Sequence, residues 1–111
     1  MAVLPRLTRR LLLEERQGAP DGGGGYGESW VVLGTLAAEV TPRSVGRELS
    51  AGRTTARMGF RIVVRAAAEG SPARPRAGQR LRAGARIWDV LAVSEADAEG
   101  RYLRIEAEER Q

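Results

Sequence analysis

From Arg57 to Arg65 apolar and other positions alternate. Met58, Phe60, Ile62 and Val64 fall on one side, and Arg57, Gly59, Arg61, Val63 and Arg65 on the other. Period two predicts a strand over 58–65 with one face in a core. Arg53, Arg57, Arg61 and Arg65 are also spaced as on a helix face, but the apolar set, its β-branched members and Gly59 decide for the strand. A second strand is predicted from Trp30 to Thr41, with Trp30, Val32, Leu36, Ala38 and Val40 on one face and Val31, Leu33, Thr35 and Glu39 on the other. Being apolar on both faces at its start, it reads as central or covered. Two more strands follow, Ala85–Val93 and Arg101–Glu108, joined by the hairpin turn SEADAEG. The N-terminal LTRRLLLEERQ fits a helix through Leu4, Leu7 and Leu11 or a strand through Leu11 and Leu13; we read a strand over 10–17.

Turn residues punctuate the chain at short intervals, the spacing of an all-β fold: a small antiparallel β-barrel or sandwich with long loops, in one domain over 1–111. Flexible loops are predicted at about 18–28, 42–56 and 69–79. In the second, Glu48, Leu49 and Ala51 allow at most a short helical turn before Gly52 stops it. The third, EGSPARPRAGQR, reads as extended and exposed. The first raises a question of its own, because Asp21, Gly22, Gly23, Gly24, Gly25, Tyr26 and Gly27 lead into Trp30. Glycine loses more freedom on ordering than any other residue, so such a run is either never ordered or ordered by a partner.

Composition narrows the chemistry. The chain has no cysteine and no histidine, which removes disulfides, a thiolate nucleophile, the usual general base and the commonest metal ligand. GGGGYG lacks the preceding strand, following helix and lysine of a phosphate loop. Glu95, Asp97 and Glu99 have the spacing of a calcium loop, but alanines fill the gaps. The pairs Glu14/Glu15 and Glu108/Glu109 point to opposite faces of a strand. We therefore expect no enzyme, no cofactor, no metal and no catalytic residue. The run Leu11–Leu13 is too short for a signal peptide or a membrane span, so a protein made in the bacterial cytoplasm without membrane association is expected.

Charge is uneven. All 18 basic residues are arginine, a sign of a GC-rich genome. Residues 43–86 hold eleven arginines against two acids, while 87–111 hold three against seven. This asymmetry suits docking onto nucleic acid or onto a second copy's acidic end. Arg43, Arg47, Arg53, Arg57, Arg74 and Arg76 are the candidate contacts, through phosphates and without base reading, since few aromatics are interleaved with them. Trp30 and Trp88 read as core residues.

The order of motifs resembles the phage head-tail joining family, the connector or stopper proteins between capsid portal and tail. Leu4 or Leu7 with Arg9 precedes the first strand, and Asp21 and Gly22 lead to Trp30. Ala38, Glu39, Val40, Gly46 and Glu48 follow, then FRIVVR closing on Arg65. Arg80, Leu81, Gly84, Trp88, Val90 and Val93 come next, and YLRIEAEE closes the pattern. The chain departs from it at Gln79, where Asp is common, at Trp88, where Tyr is usual, and at Ala66, where an aromatic is frequent. The resemblance implies a homo-oligomeric ring in the head-tail connector of a virion or phage-like particle, from a phage or a gene transfer agent. It implies three contacts: a portal-side adaptor, a tail terminator or tail-tube protein, and sequence-nonspecific double-stranded DNA in the channel. The β-rich pattern favours stopper-like members over the largely helical adaptors. Residues 21–27 would then form an assembly or gating loop. A free nucleic-acid-binding β-barrel is the alternative.

Overall fold

The computed structural model describes residues 4–20, 26–50 and 53–110; for 19, 20, 26–28, 44–50 and 53–57 only the backbone pairing is described. Six strands form: β1 (Arg9–Pro20), β2 (Tyr26–Ser50), β3 (Arg53–Arg65), β4 (Arg80–Ala83), β5 (Arg86–Glu95) and β6 (Tyr102–Glu109). All neighbours are antiparallel, and the order β1-β2-β3-β6-β5-β4 closes when β4 returns to β1. The all-β barrel expected from the pattern is what forms, and no helix is present among the described residues.

Alternation builds the interior. Leu11 and Leu13 of β1, Phe60, Ile62 and Val64 of β3, Trp88 and Val90 of β5, and Leu103, Ile105 and Ala107 of β6 sit two apart and are all buried, joined by Ala38 and Leu81. Complete burial of a side chain such as Ile62 contributes about 1.5–3 kcal/mol. Trp88 is fully buried, with Phe60 edge-on to it at 6.1 Å between ring centroids. The Arg86 guanidinium lies 4.7 Å from the Trp88 ring centre and is fixed by two bonds to Glu109, of 2.8 and 3.0 Å. These bonds hold the Glu109 carboxyl below its usual range.

Four sequence expectations change. First, β2 does not end near Thr41. Pro42 should stop a central strand, yet β1 leaves β2 at Ala38, so Pro42 has a strand only on its β3 side. A bulge at Arg43, between the pairs Pro42↔Phe60 and Ser44↔Gly59, absorbs it. Residues 44–50 and 53–58 therefore continue as a paired ribbon where a loop was predicted, and Glu48 and Leu49 lie in strand, not in a helical turn. Second, the face assigned to Trp30 and Val32 is reversed by a bulge at Leu33, since Leu13 faces Gly34 while the next residue, Glu14, faces Val32. Trp30 then pairs with Arg16 on the outer surface and is not a core residue. Third, β4 was missed because RLRA is short and half arginine. Leu81 is its buried member, and Gly84 (φ 61°) supplies the left-handed residue of the tight turn into β5. Fourth, residues 69–79 are exposed at most positions, as expected, but they fold into turns and are not extended, with Ser71 N–H donating to Ala68 O and Arg74 N–H to Ser71 O, both at 3.0 Å. Pro75 and Gln79 are buried; Gly78 N–H donates to Val90 O and Val90 N–H to Gln79 O, at 3.1 and 3.0 Å.

The predicted loop at 18–28 also narrows, because Gly18, Ala19 and Pro20 pair with Glu28, Gly27 and Tyr26. Asp21, Gly22, Gly23, Gly24 and Gly25 lie outside the described residues.

Candidate assembly and nucleic-acid surfaces

On the outer face of the barrel, β4 places Arg80 opposite Glu14 and Arg82 two pairs further along, opposite Leu12. The Glu14 carboxylate is almost completely buried between them, accepting 2.7 Å from Arg80 Nε and 3.0 Å from Arg82 Nε. Burial pushes the Glu14 carboxyl up, but the two guanidinium bonds and charges outweigh it, and the net shift is downward. The Arg80 guanidinium also lies 4.0 Å from the centre of the Trp30 ring. Arg110, bonded to Asp89, approaches the same ring at 5.8 Å. A surface groove of about 480 Å³ runs beside this stack, lined by Arg16, Trp30, Gln79, Asp89, Leu91 and Arg110. The arrangement is structural: every carboxylate in it is held by arginine. Trp30→Ala is expected to remove about 1 kcal/mol of stability through the lost cation–π contact and to leave the barrel intact, as a urea titration followed by circular dichroism will report.

Sequence reasoning missed this cluster, although its signal was present. Arg80 and Arg82 are two apart, hence on one face of a strand, and Glu14 follows the apolar Leu13.

The predicted contact arginines fall into two places. Arg74 and Arg76 belong to the 66–79 loop, where Arg74 Nη1 donates to Ala67 O at 3.0 Å and Arg76 pairs with Glu15 at 2.8 Å. Arg43 is the bulged residue of β2 and is exposed. Arg47 and Arg53 pair with Ala56 and Ser50, and Arg57 with Gly46, in the β2–β3 ribbon; their side chains are outside the description, as are those of Tyr26 and Gly27 at the start of β2. The sequence grouping thus splits between the ribbon and the loop. The acidic turn is closed from within, since Asp97 accepts from the backbone N–H of Arg101 and Tyr102 and from Arg101 Nε, and Arg101 reaches Glu99 at 3.6 Å. Among the described residues no cluster of metal-ligating side chains occurs.

The family model for phage head completion protein matches residues 4–110. This chain belongs to that family. A solved structure described as the virion of a native gene transfer agent particle contains a chain 47% identical to this one. It superposes with a TM-score of 0.80, covering 95% of this head completion protein and 96% of that chain. No curated protein matched. The head completion family is one of structural virion components, in keeping with a cluster in which the carboxylates of Glu14 and Asp89 are held by arginine.

Proposed function

We propose that this head completion protein acts as a stopper: copies form a ring between a portal-side adaptor and the tail of a phage-like particle, closing the head on packaged DNA and offering a seat for the tail terminator or tail tube. The observation that carries the reading is the match to a virion chain across nearly the whole barrel at 47% identity. The barrel supports it physically, since a closed sheet gives each subunit a rigid body and leaves the β1–β2 and β2–β3 ribbons to reach neighbours. Arg43, Arg47, Arg53 and Arg57 of the second ribbon, with Arg74 and Arg76 of the loop, are the groups that would touch phosphates in the channel or an acidic neighbour. Phosphate contact holds DNA without reading its sequence. The segment Asp21–Gly27 is proposed as the part whose ordering is met by assembly. The role calls for no catalysis.

Deletion of the gene in the producing strain is expected to give heads that lose DNA or lack tails, seen by electron microscopy and by nuclease-resistant DNA content. Complementation with Arg43→Gln/Arg47→Gln should restore tails with reduced DNA retention. Normal tailed, DNA-filled particles from the deletion strain would overturn the reading and leave a free nucleic-acid-binding barrel as the alternative.

A further inference from the structure

A closed barrel has no sheet edges, yet β2 carries one. It pairs with β1 from Tyr26 to Ala38 and with β3 only from Ala38 onward. Along Val31–Ala37 the side of β2 away from β1 therefore meets no strand, and among the described residues no other backbone hydrogen bond reaches it. An antiparallel strand turns alternate N–H and C=O groups to each side, so this edge is a row of donors and acceptors open to another strand.

Of the three usual guards the edge keeps only one, the bulge at Leu33. Val31–Ala38 reads VVLGTLAA, with no charge and no proline. Val31 is 38% and Val32 48% exposed. An uncharged, β-prone, apolar edge is a template for pairing, and soluble proteins protect such edges with charge, proline or bulges. Other stretches are also open on one side, among them Glu15–Pro20 of β1, guarded by Glu15, Arg16 and Pro20, and β5 beyond Val90, guarded by the bulge at Leu91 and the charge of Glu95. With one guard and no charge, the β2 edge is the more open of the two to an occupant.

The chain carries a matching strand. β3 pairs with β6 only from Gly59, so Arg53–Met58 (RTTARM) is backed by β2 alone. A two-stranded ribbon is marginally stable by itself and gains from a third strand. The charges are complementary: Glu28 and Glu39 bracket the β2 edge, and Arg53 and Arg57 lie on the β3 edge.

We infer that the Arg53–Met58 edge of one copy adds to the Val31–Ala37 edge of the next, so that hydrogen-bonded sheet runs from subunit to subunit. One acceptor and one donor edge on different strands of each copy give a head-to-tail contact, the kind that closes rings. The inference rests on the ring proposed above and names the surfaces that make it.

The absence of native cysteine makes the test clean. Thr35→Cys is combined in turn with Thr54→Cys, Thr55→Cys and Ala56→Cys in the full chain, assembled into particles and mildly oxidised. Adjacent strands place Cα atoms about 4.5–5.5 Å apart, within disulfide reach. At least one double variant is expected to give a reductant-sensitive ladder beyond dimer, with none from Thr35→Cys alone. A ring seen by native mass spectrometry of the detergent-released connector, but no ladder from any double variant, overturns the edge pairing and leaves the ring reading standing. Dimers from Thr35→Cys alone overturn it in favour of symmetric β2–β2 contact. A monomer in the released connector overturns both. As a second line, Val32→Arg puts a charge on the exposed edge; it is expected to leave a folded monomer by circular dichroism and to reduce ring formation at least tenfold. Parental ring formation by this variant also counts against the inference.

Discussion

Replacing Glu14 with alanine is expected to lower the unfolding free energy by about 3 kcal/mol at pH 7, the low end of the cost of breaking a buried ion pair. The low end applies because Arg82 is 32% exposed and water screens its half of the cluster, whereas Arg80 is only 13% exposed and loses its partner in place. For a chain of this size that is a fall in melting temperature of roughly 10 °C. Glu14→Gln isolates the charge. The folded-state pKa of Glu14 lies below its unfolded value of about 4.3, so its stabilisation is complete above that value and is lost as pH falls through the folded pKa. The stability gap between parent and Glu14→Gln, measured by urea unfolding, should stay constant from pH 7 to about 5 and narrow toward pH 3. A gap that does not change with pH would mean that Glu14 acts by packing alone.

Trp88→Ala is expected to cost about 4 kcal/mol, because Trp88 is the largest fully buried side chain and its removal empties the space between Phe60 and Arg86. Trp88→Phe should cost much less, about 1.5 kcal/mol or below. The indole N–H of Trp88 is buried with no hydrogen-bond acceptor among the described residues, so phenylalanine removes an unsatisfied donor while keeping most of the volume. Equilibrium unfolding of the two variants side by side decides the matter; equal losses would show that the indole ring edge, and not aromatic bulk, holds the barrel. In the particle, Trp88→Ala should reduce incorporation of the subunit while Trp88→Phe supports it, since docking needs the rigid body and not this side chain's chemistry.

How far the sequence reached is clearest strand by strand. The period-two run at 58–65 and the run YLRIEAEE place Phe60, Ile62, Val64, Leu103, Ile105 and Ala107 in the interior, where all six are buried. Local alternation is decided by neighbours in sequence, so β3, β5 and β6 were legible within a few residues of their ends, as was the all-β class. The absence of histidine and cysteine, and the motif order running from Leu4 to the closing strand, pointed to a structural member of a head-tail family, and residues 4–110 match the head completion family.

Other features needed strands to meet across the barrel. Pro42 reads as a stop until it is known that β1 has already left β2 and that Arg43 bulges. Trp30 reads as core until the bulge at Leu33 turns it outward onto Arg80. Glu14, one carboxylate among many in the sequence, becomes a buried anchor only because β4 returns to β1 with Arg80 and Arg82 on the matching face. Pro75 reads as an exposed loop residue until the turns of 69–79 bury it together with Gln79. Side-chain periodicity is a local property and survives in one dimension. Register, bulges and barrel closure are set by pairings between residues up to 70 positions apart, as in the Leu12–Arg82 pair, and only the tertiary structure decides those.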